Sequence, residues 1–222
     1  MVYAPILIPT LCRDEHFIRC IESLKKNSWA EYTDVYVALD FPAKESHWDG
    51  YKKICTYLEG DFSEFSKFVV VKREENYGSF KNMISLREQI LKKYDRYIRT
   101  DDDIEFSPNF LEYMDKCLEY YEDDENVIAV TGYSYPIEWN IAEGCNTMKS
   151  NFVCSTWGLG FWKKKFSLLE YKIVKEKYLR KIFDNVIRNG KIKQLTQARF
   201  LDYVNGCLNE RSNPPAMLGR IV

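Results

Sequence analysis

The sequence predicts an α/β fold, a mostly parallel sheet flanked by helices, with an elaborated second half. Three observations carry this. Short apolar runs alternate with helical periodicity through the first 100 residues, the pattern of right-handed crossovers covering both faces of a sheet. The runs are apolar throughout rather than alternating, as strands buried on both faces are. Each run also ends in polar or charged residues, the edge where open parallel sheets bind ligands.

Tyr3 to Ile8 is the first buried strand, ended by Pro9-Thr10. From Asp14 to Lys26, Phe17, Ile18, Ile21 and Leu24 recur at helical spacing, with Asp14 as the expected N-cap. Asp34 to Leu39 is the second strand, stopping at Asp40-Phe41-Pro42, and Trp48 to Leu58 has helical periodicity. Phe68 to Val71 is the third strand and runs into a polar segment ending at Asn76-Tyr77-Gly78. Ser79 to Lys93 is a helix with Met83, Ile84, Leu86, Ile90 and Leu91 apolar. Tyr94 to Arg99 is the fourth strand, and Thr100 leads into Asp101-Asp102-Asp103. After that the pattern loosens. A helix from Pro108 to Glu122 and a strand from Val127 to Thr131 precede an irregular stretch, Tyr133 to Phe152. The segment Ser155 to Trp162 introduces a basic helical region that reaches the C-terminus. With no internal repeat and no low-complexity linker, the expectation is a single domain over 1–222.

Composition narrows the function classes. Lys+Arg 32 against Asp+Glu 33 gives a net charge of −1, without the basic field that nucleic-acid binding needs. The seven cysteines are odd in number and lack CxxC spacing, which favours reduced thiols over a disulfide or zinc framework. No charged n-region opens the chain and no apolar run approaches the roughly 18–20 residues of a membrane span, so a cytoplasmic protein is expected. The basic stretch from Lys172 to Lys193 reads as a solvated face, with peripheral docking to anionic lipid as its second reading. His16 and His47 are the only histidines, which leaves no support for a His-based hydrolase or a His-ligated zinc site.

The polar residues collect at one edge. Thr10 and Arg13 follow the first strand, Asp40 the second, Arg73, Asn76 and Gly78 the third, and Asp101, Asp102 and Asp103 the fourth. Three adjacent aspartates repel one another and need a counter-charge. A hard divalent cation, Mg²⁺ or Mn²⁺, supplies one, taking its remaining ligands from phosphates and water. The plainer reading is an acidic loop before the Pro108 helix, but Ser107 is expected to cap that helix already.

The run Thr100-Asp-Asp-Asp-Ile-Glu-Phe-Ser-Pro-Asn-Phe-Leu resembles the DXD segment of GT-A-fold glycosyltransferases, in particular bacterial family-2-like enzymes. Ile8-Pro9-Thr10-x-x-Arg13, Asp40 and Asn76-x-Gly78 resemble the other nucleotide-site elements of that fold. Ser155-Thr156-Trp157-Gly158-Leu159-Gly160-Phe161-Trp162 is similar to the acceptor-side segment of bacterial sugar transferases, and the likeness spans about residues 3 to 166.

The resemblance implies a metal-dependent transferase that moves a hexosyl or N-acetylhexosaminyl group from a nucleotide-diphosphate sugar, UDP-sugar favoured. The acceptor would be a glycan or lipid-linked molecule, in surface polysaccharide synthesis. It implies Mn²⁺ or Mg²⁺ on Asp103 and Asp101, with Asp101 and Asp102 near the donor. Pro9, Thr10, Arg13, Arg73, Asn76 and Gly78 would bind the nucleotide sugar, Asp40 accepting from uracil N3–H. Trp157, Gly158 and Trp162 would lie on the acceptor side. Residues 1–105 would form the donor half and 106–222 the acceptor half. The resemblance supplies no clear general base: Asp202 is the weak candidate, and the chain end at Val222 reads as truncated before the acceptor structure is complete. Two other readings stand beside it. A sugar nucleotidyltransferase usually has a Gly-rich loop after strand one, where this chain has Pro9-Thr10-Leu11-Cys12-Arg13; a non-catalytic glycan-binding module would show no metal-dependent nucleotide binding.

Overall fold

The computed structural model describes residues 2–133, 143–145, 147 and 155–166. Asp202, the basic region after Lys172, the C-terminal run and most of the irregular stretch lie outside these residues. The chain divides into two units, and all described residues belong to the first, Met1–Leu168.

The elements are β1 (Ile6–Thr10), α1 (Asp14–Lys25), β2 (Asp34–Leu39), α2 (Trp48–Tyr57), β3 (Lys67–Lys72), α3 (Gly78–Ile90), β4 (Arg96–Arg99), α4 (Phe110–Tyr120), β5 (Ala129–Thr131), β6 (Leu159–Trp162) and the single turn α5 (Lys163–Phe166). They build one six-stranded sheet in the order β3-β2-β1-β4-β6-β5. β3, β2, β1 and β4 pair in parallel, and β6 runs antiparallel between β4 and β5. The sheet is therefore mostly parallel, as its apolar strands require.

Side chains alternate across each strand with period two, and the two faces bury different partners. Ile6, Ile8, Val35, Val37, Leu39 and Ile98 face α1, α2 and α4, meeting Phe17, Ile21, Leu24, Ile54, Leu111, Met114 and Leu118. Leu7, Tyr36, Ala38 and Tyr97 face α3, meeting Met83, Leu86 and Ile90. One register slip would exchange these sets, so the two faces fix the strand pairing.

β1 continues through Pro9-Thr10 rather than ending there. The backbone of Leu7 points toward β4, since its carbonyl accepts from Thr100 N–H, and Thr10 points toward β2, since its carbonyl accepts from Asp40 N–H. Pro9 shares the Leu7 side, where pairing with β4 has stopped after Leu7↔Arg99. Its missing N–H therefore costs no ladder bond.

Two expected caps are corrected. Arg13 occupies the N-cap position of α1 without a side-chain cap bond, and Asp14 is the first helical residue. There, with Glu15, it complements the helix dipole instead. At α4 the N-cap is Asn109, also without a side-chain cap bond. The Ser107 hydroxyl donates to Asn109 Oδ1 at 3.0 Å, and only the Ser107 carbonyl reaches the helix, accepting from Phe110 N–H at 3.0 Å.

β6 was not expected as a strand. Four residues with Gly160 in the middle carry no periodic signal, yet α4 packs closely over that glycine: a Cβ on it would lie 3.0 Å from Met114 Cε and 3.1 Å from Leu118 Cδ1. Lys165, one of three consecutive lysines, is buried. Its ammonium donates to the carbonyls of Tyr121, Asp124 and Val127 at 2.6–2.9 Å and sits 3.9 Å from the Trp162 ring centroid. It thereby ties the turn after α4 to β6.

The first prediction concerns Asp115 on α4, which is fully buried. Its Oδ1 accepts from Ala4 N–H at 2.8 Å. Its Oδ2 and Arg96 Nη1 are buried without hydrogen-bond partners among the described residues. Burial pushes the Asp115 carboxyl up to about 7, opposed by the Ala4 N–H and Arg96. The folded chain thus keeps a proton that the unfolded chain releases near pH 4. This contribution to stability is complete below that pH and is lost as pH rises to about 7. Asp115→Asn does not titrate, so its stability relative to the parent should improve by on the order of 2–4 kcal/mol between pH 4 and 7. Urea unfolding across that range checks this, and a pH-independent difference would contradict it.

Candidate functional site

The carboxyl ends of the four parallel strands deliver Thr10, Asp40, Arg73 and the Asp101–Asp103 triplet to one edge of the sheet. The tightest junction lies between the ends of β1 and β4. Asp102 is buried, its side chain only 5% exposed, and accepts from Thr10 Oγ1 at 2.7 Å. Arg13 completes the junction: Nη2 donates to Asp102 Oδ1, and Nη1 donates to Asp103 Oδ2 at 2.7 Å. Thr10 and Arg13, expected beside a nucleoside, thus hold the aspartates. The need for donors is legible in a triplet of like charges; which strand end supplies them is not.

A second junction joins β2 to the start of α3. Asp40 is buried, and its Oδ1 accepts from Phe41 N–H at 2.9 Å and Tyr77 N–H at 2.8 Å. Asn76 Nδ2 donates to the Phe41 carbonyl at 2.6 Å and to Asp40 Oδ2 at 3.4 Å. Gly78 follows with φ +71°, a conformation that a side chain would strain, and its Cβ position faces open space. Arg73 is buried and donates through Nε to Asn82 Oδ1 at 2.8 Å, while Asn82 Nδ2 donates to the Ala38 carbonyl at 2.8 Å. Arg73 and Lys81 both lie against the Tyr77 ring, 4.9 and 3.8 Å from its centroid. Tyr77 and Asn82 were not singled out from the sequence, because neither carries charge and Asn82 sits inside an amphipathic helix pattern.

The expected acceptor segment divides. Trp157 is 42% exposed and packs edge-on against Tyr133, their centroids 4.8 Å apart. Trp162 is 1% exposed, and its indole N–H donates to the Leu118 carbonyl at 2.9 Å. It is a core residue, which leaves Trp157 as the tryptophan of this segment that reaches solvent. Gly158 has φ +68°, and a Cβ there would lie 2.6 Å from Phe110 Cε2, so close packing on α4 explains it.

The electrostatics of the triplet bear on a metal. Among the described residues no three Asp, Glu, His or Cys side chains form a ready-made cage. Asp101 and Asp103 are the solvent-reaching members, at 35% and 36% exposure, with Arg99 Nη2 3.9 Å from Asp101 Oδ1. Desolvation first, then Asp103 and Asp102, hold the Asp101 carboxyl above the usual range against the opposing pull of Arg99. The pair fits a hard divalent cation: both donors are carboxylate oxygens, a further positive charge would relieve Asp101, and the Arg13 guanidinium already stands on Asp103 as a cation.

No family model matches the chain, and no curated protein sequence does. Several solved structures resemble it. Residues 1–349 of Staphylococcus aureus TarS are 12% identical with a TM-score of 0.49, over 75% of this chain and 49% of that one. The same fragment in complex with UDP-GlcNAc gives 14% and 0.43, over 68% and 38%. The mannosyltransferase PcManGT from Pyrobaculum calidifontis, in complex with GDP-Man and Mn²⁺, gives 14% and 0.44, over 60% and 36%. The chain spans less than half the length of these structures. At this identity and score the likeness assigns no role to any residue, and the roles rest on the geometry above.

The two junctions differ in what they hold together. Asp40→Ala removes a buried acceptor from two backbone N–H groups and should cost about 2–4 kcal/mol of stability. Asp103→Ala removes a half-exposed ion pair and should cost under about 1 kcal/mol. Urea unfolding of both variants checks this; equal losses would contradict the division.

Proposed function

We propose that this chain transfers a sugar from a nucleotide-diphosphate donor, UDP-sugar by preference, to a glycan or lipid-linked acceptor in surface polysaccharide synthesis. The observation that supports it most is the meeting of Thr10, Arg13, Asp102 and Asp103 between the ends of β1 and β4. That junction leaves Asp101 and Asp103 as two carboxylates reaching solvent beside a buried third.

In this reading Asp101 and Asp103 hold Mn²⁺ or Mg²⁺, which when bound supplies Lewis-acid stabilisation to the departing diphosphate. Asp102 does not ligate; its burial and its bonds to Thr10 and Arg13 set the position of its two neighbours. Asp40 Oδ2, with Asn76 at 3.4 Å, accepts from uracil N3–H. Trp157, exposed beside Tyr133, offers an aromatic face to a sugar ring. Asp202 stays the candidate base. Working at the cytoplasmic face of a membrane is part of the proposal, through the basic stretch after Lys172; no described helix is long and apolar enough to cross one.

Calorimetry with UDP, with and without Mn²⁺, followed by slow hydrolysis of a panel of UDP- and GDP-sugars, tests the reading. Hydrolysis should require the metal, and Asp103→Ala should lower it by roughly two to four orders of magnitude with the fold intact. Full activity in excess EDTA would overturn the metal assignment. UDP affinity with no metal dependence, and no turnover of any donor, would favour a non-catalytic module.

A further inference from the structure

We propose that Arg13 is an internal counter-ion that yields Asp103 to the cation and then holds the donor diphosphate, so that metal and nucleotide bind as a linked pair. The proposal rests on the donor-and-cation reading above and adds a role for a residue that the resemblance gave only as a pocket liner.

The geometry separates the two bonds of the guanidinium. On one side Arg13 Nη2 meets Asp102, whose side chain is 5% exposed and whose other oxygen is taken by Thr10 Oγ1 at 2.7 Å. A buried carboxylate oxygen without a donor is costly, so this bond persists. On the other side Nη1 meets Asp103 Oδ2 at 2.7 Å, at a side chain 36% exposed. Water can replace that donor at little cost. A divalent cation held by Asp103 would put a second positive charge on the oxygen that Nη1 already pairs, and two positive groups on one oxygen repel each other. The ion therefore competes with Nη1 and leaves the bond to Asp102 alone.

The released half of the fork has somewhere to go. The Arg13 side chain is 50% exposed, and its backbone is fixed at the start of α1, where its carbonyl accepts from Phe17 N–H at 2.9 Å. Arginine carries five N–H donors in a plane, so one pair can stay on Asp102 while another faces a phosphate oxygen. Before binding, the single charge of Arg13 bridges two adjacent carboxylates and offsets part of their repulsion. After binding, the ion takes over Asp103, and the guanidinium faces the negative charge the nucleotide brings. Each ligand thus removes an obstacle to the other, and by linkage the coupling is reciprocal.

The experiment measures Mn²⁺ binding alone, UDP binding alone, and UDP binding at saturating Mn²⁺, on the parent, Arg13→Gln, Arg13→Lys and Asp103→Ala. Arg13→Gln should bind Mn²⁺ alone roughly three- to tenfold more tightly, because the competing cation is gone. It should bind UDP at saturating Mn²⁺ about tenfold more weakly, so the coupling between the two ligands shrinks. Arg13→Lys keeps the charge without the fork and should fall between the two. A cooperative thermal melt in each variant shows that the fold is kept. Mn²⁺ affinity in Arg13→Gln equal to or weaker than the parent's would overturn the exchange, while Asp103-dependent Mn²⁺ binding in the parent left the cation reading standing. No Asp103-dependent Mn²⁺ binding in the parent, even with UDP, would remove the cation reading and the exchange together.

Discussion

The buried carboxylate of Asp102 is the constraint on which the site depends. A charge removed from water at the end of β4 must be met by donors, and there it has two, the Thr10 hydroxyl and the Arg13 guanidinium. Both come from the end of β1 and the turn after it, so the pairing of β1 with β4 is what makes the triplet tolerable. Pro9 belongs to the same economy of structure. It lies where β1 has lost its β4 neighbour, and the space beyond that pairing is where Asp102 is received. One buried acid thereby fixes the direction of its two exposed neighbours.

The second junction does similar work without a cation. Asp40 gathers the backbone N–H groups of Phe41 and Tyr77, which binds the end of β2 to the first turn of α3. Arg73 and Asn82 then attach the end of β3 to the same helix and to Ala38. The edge is therefore a set of polar bonds that close the gaps between strands, with charge left over at Asp101, Asp103 and Arg13. In the proposed reading, a ligand bearing phosphate and a divalent ion complements that remainder. An uncharged ligand would not.

The parallel half of the fold was legible because buried parallel strands are apolar throughout and their crossover helices are periodic. β2 was read to the residue, Asp34–Leu39, and each helix from α1 to α4 was found within a turn at either end. What was not legible depends on contacts distant in sequence. β6 exists because Leu159–Trp162 pairs with β4 and β5 under α4, and nothing local in Leu-Gly-Phe-Trp distinguishes that from a loop. Lys165 reads as one of three surface lysines, and its burial follows from three carbonyls about 40 residues earlier in the chain. Within the site, the residue types at the strand ends were visible, and their partners were not: a lone arginine three residues past Thr10 gives no sign that it will span two aspartates in the turn after β4. The helix caps failed for a related reason: Asp14 and Ser107 are good capping residues by type, but the N-cap of α1 lies one residue before Asp14 and that of α4 two residues after Ser107.

The central claim is that two carboxylates of the triplet hold a divalent cation beside a nucleotide diphosphate. Crystals of the protein grown with Mn²⁺ and UDP, measured at the manganese edge, test it most directly. The account predicts one anomalous peak within about 2.0–2.3 Å of carboxylate oxygens of Asp103 and Asp101, bridged to the diphosphate. An ion bound elsewhere, or UDP bound with Asp103 still paired to Arg13, would contradict it.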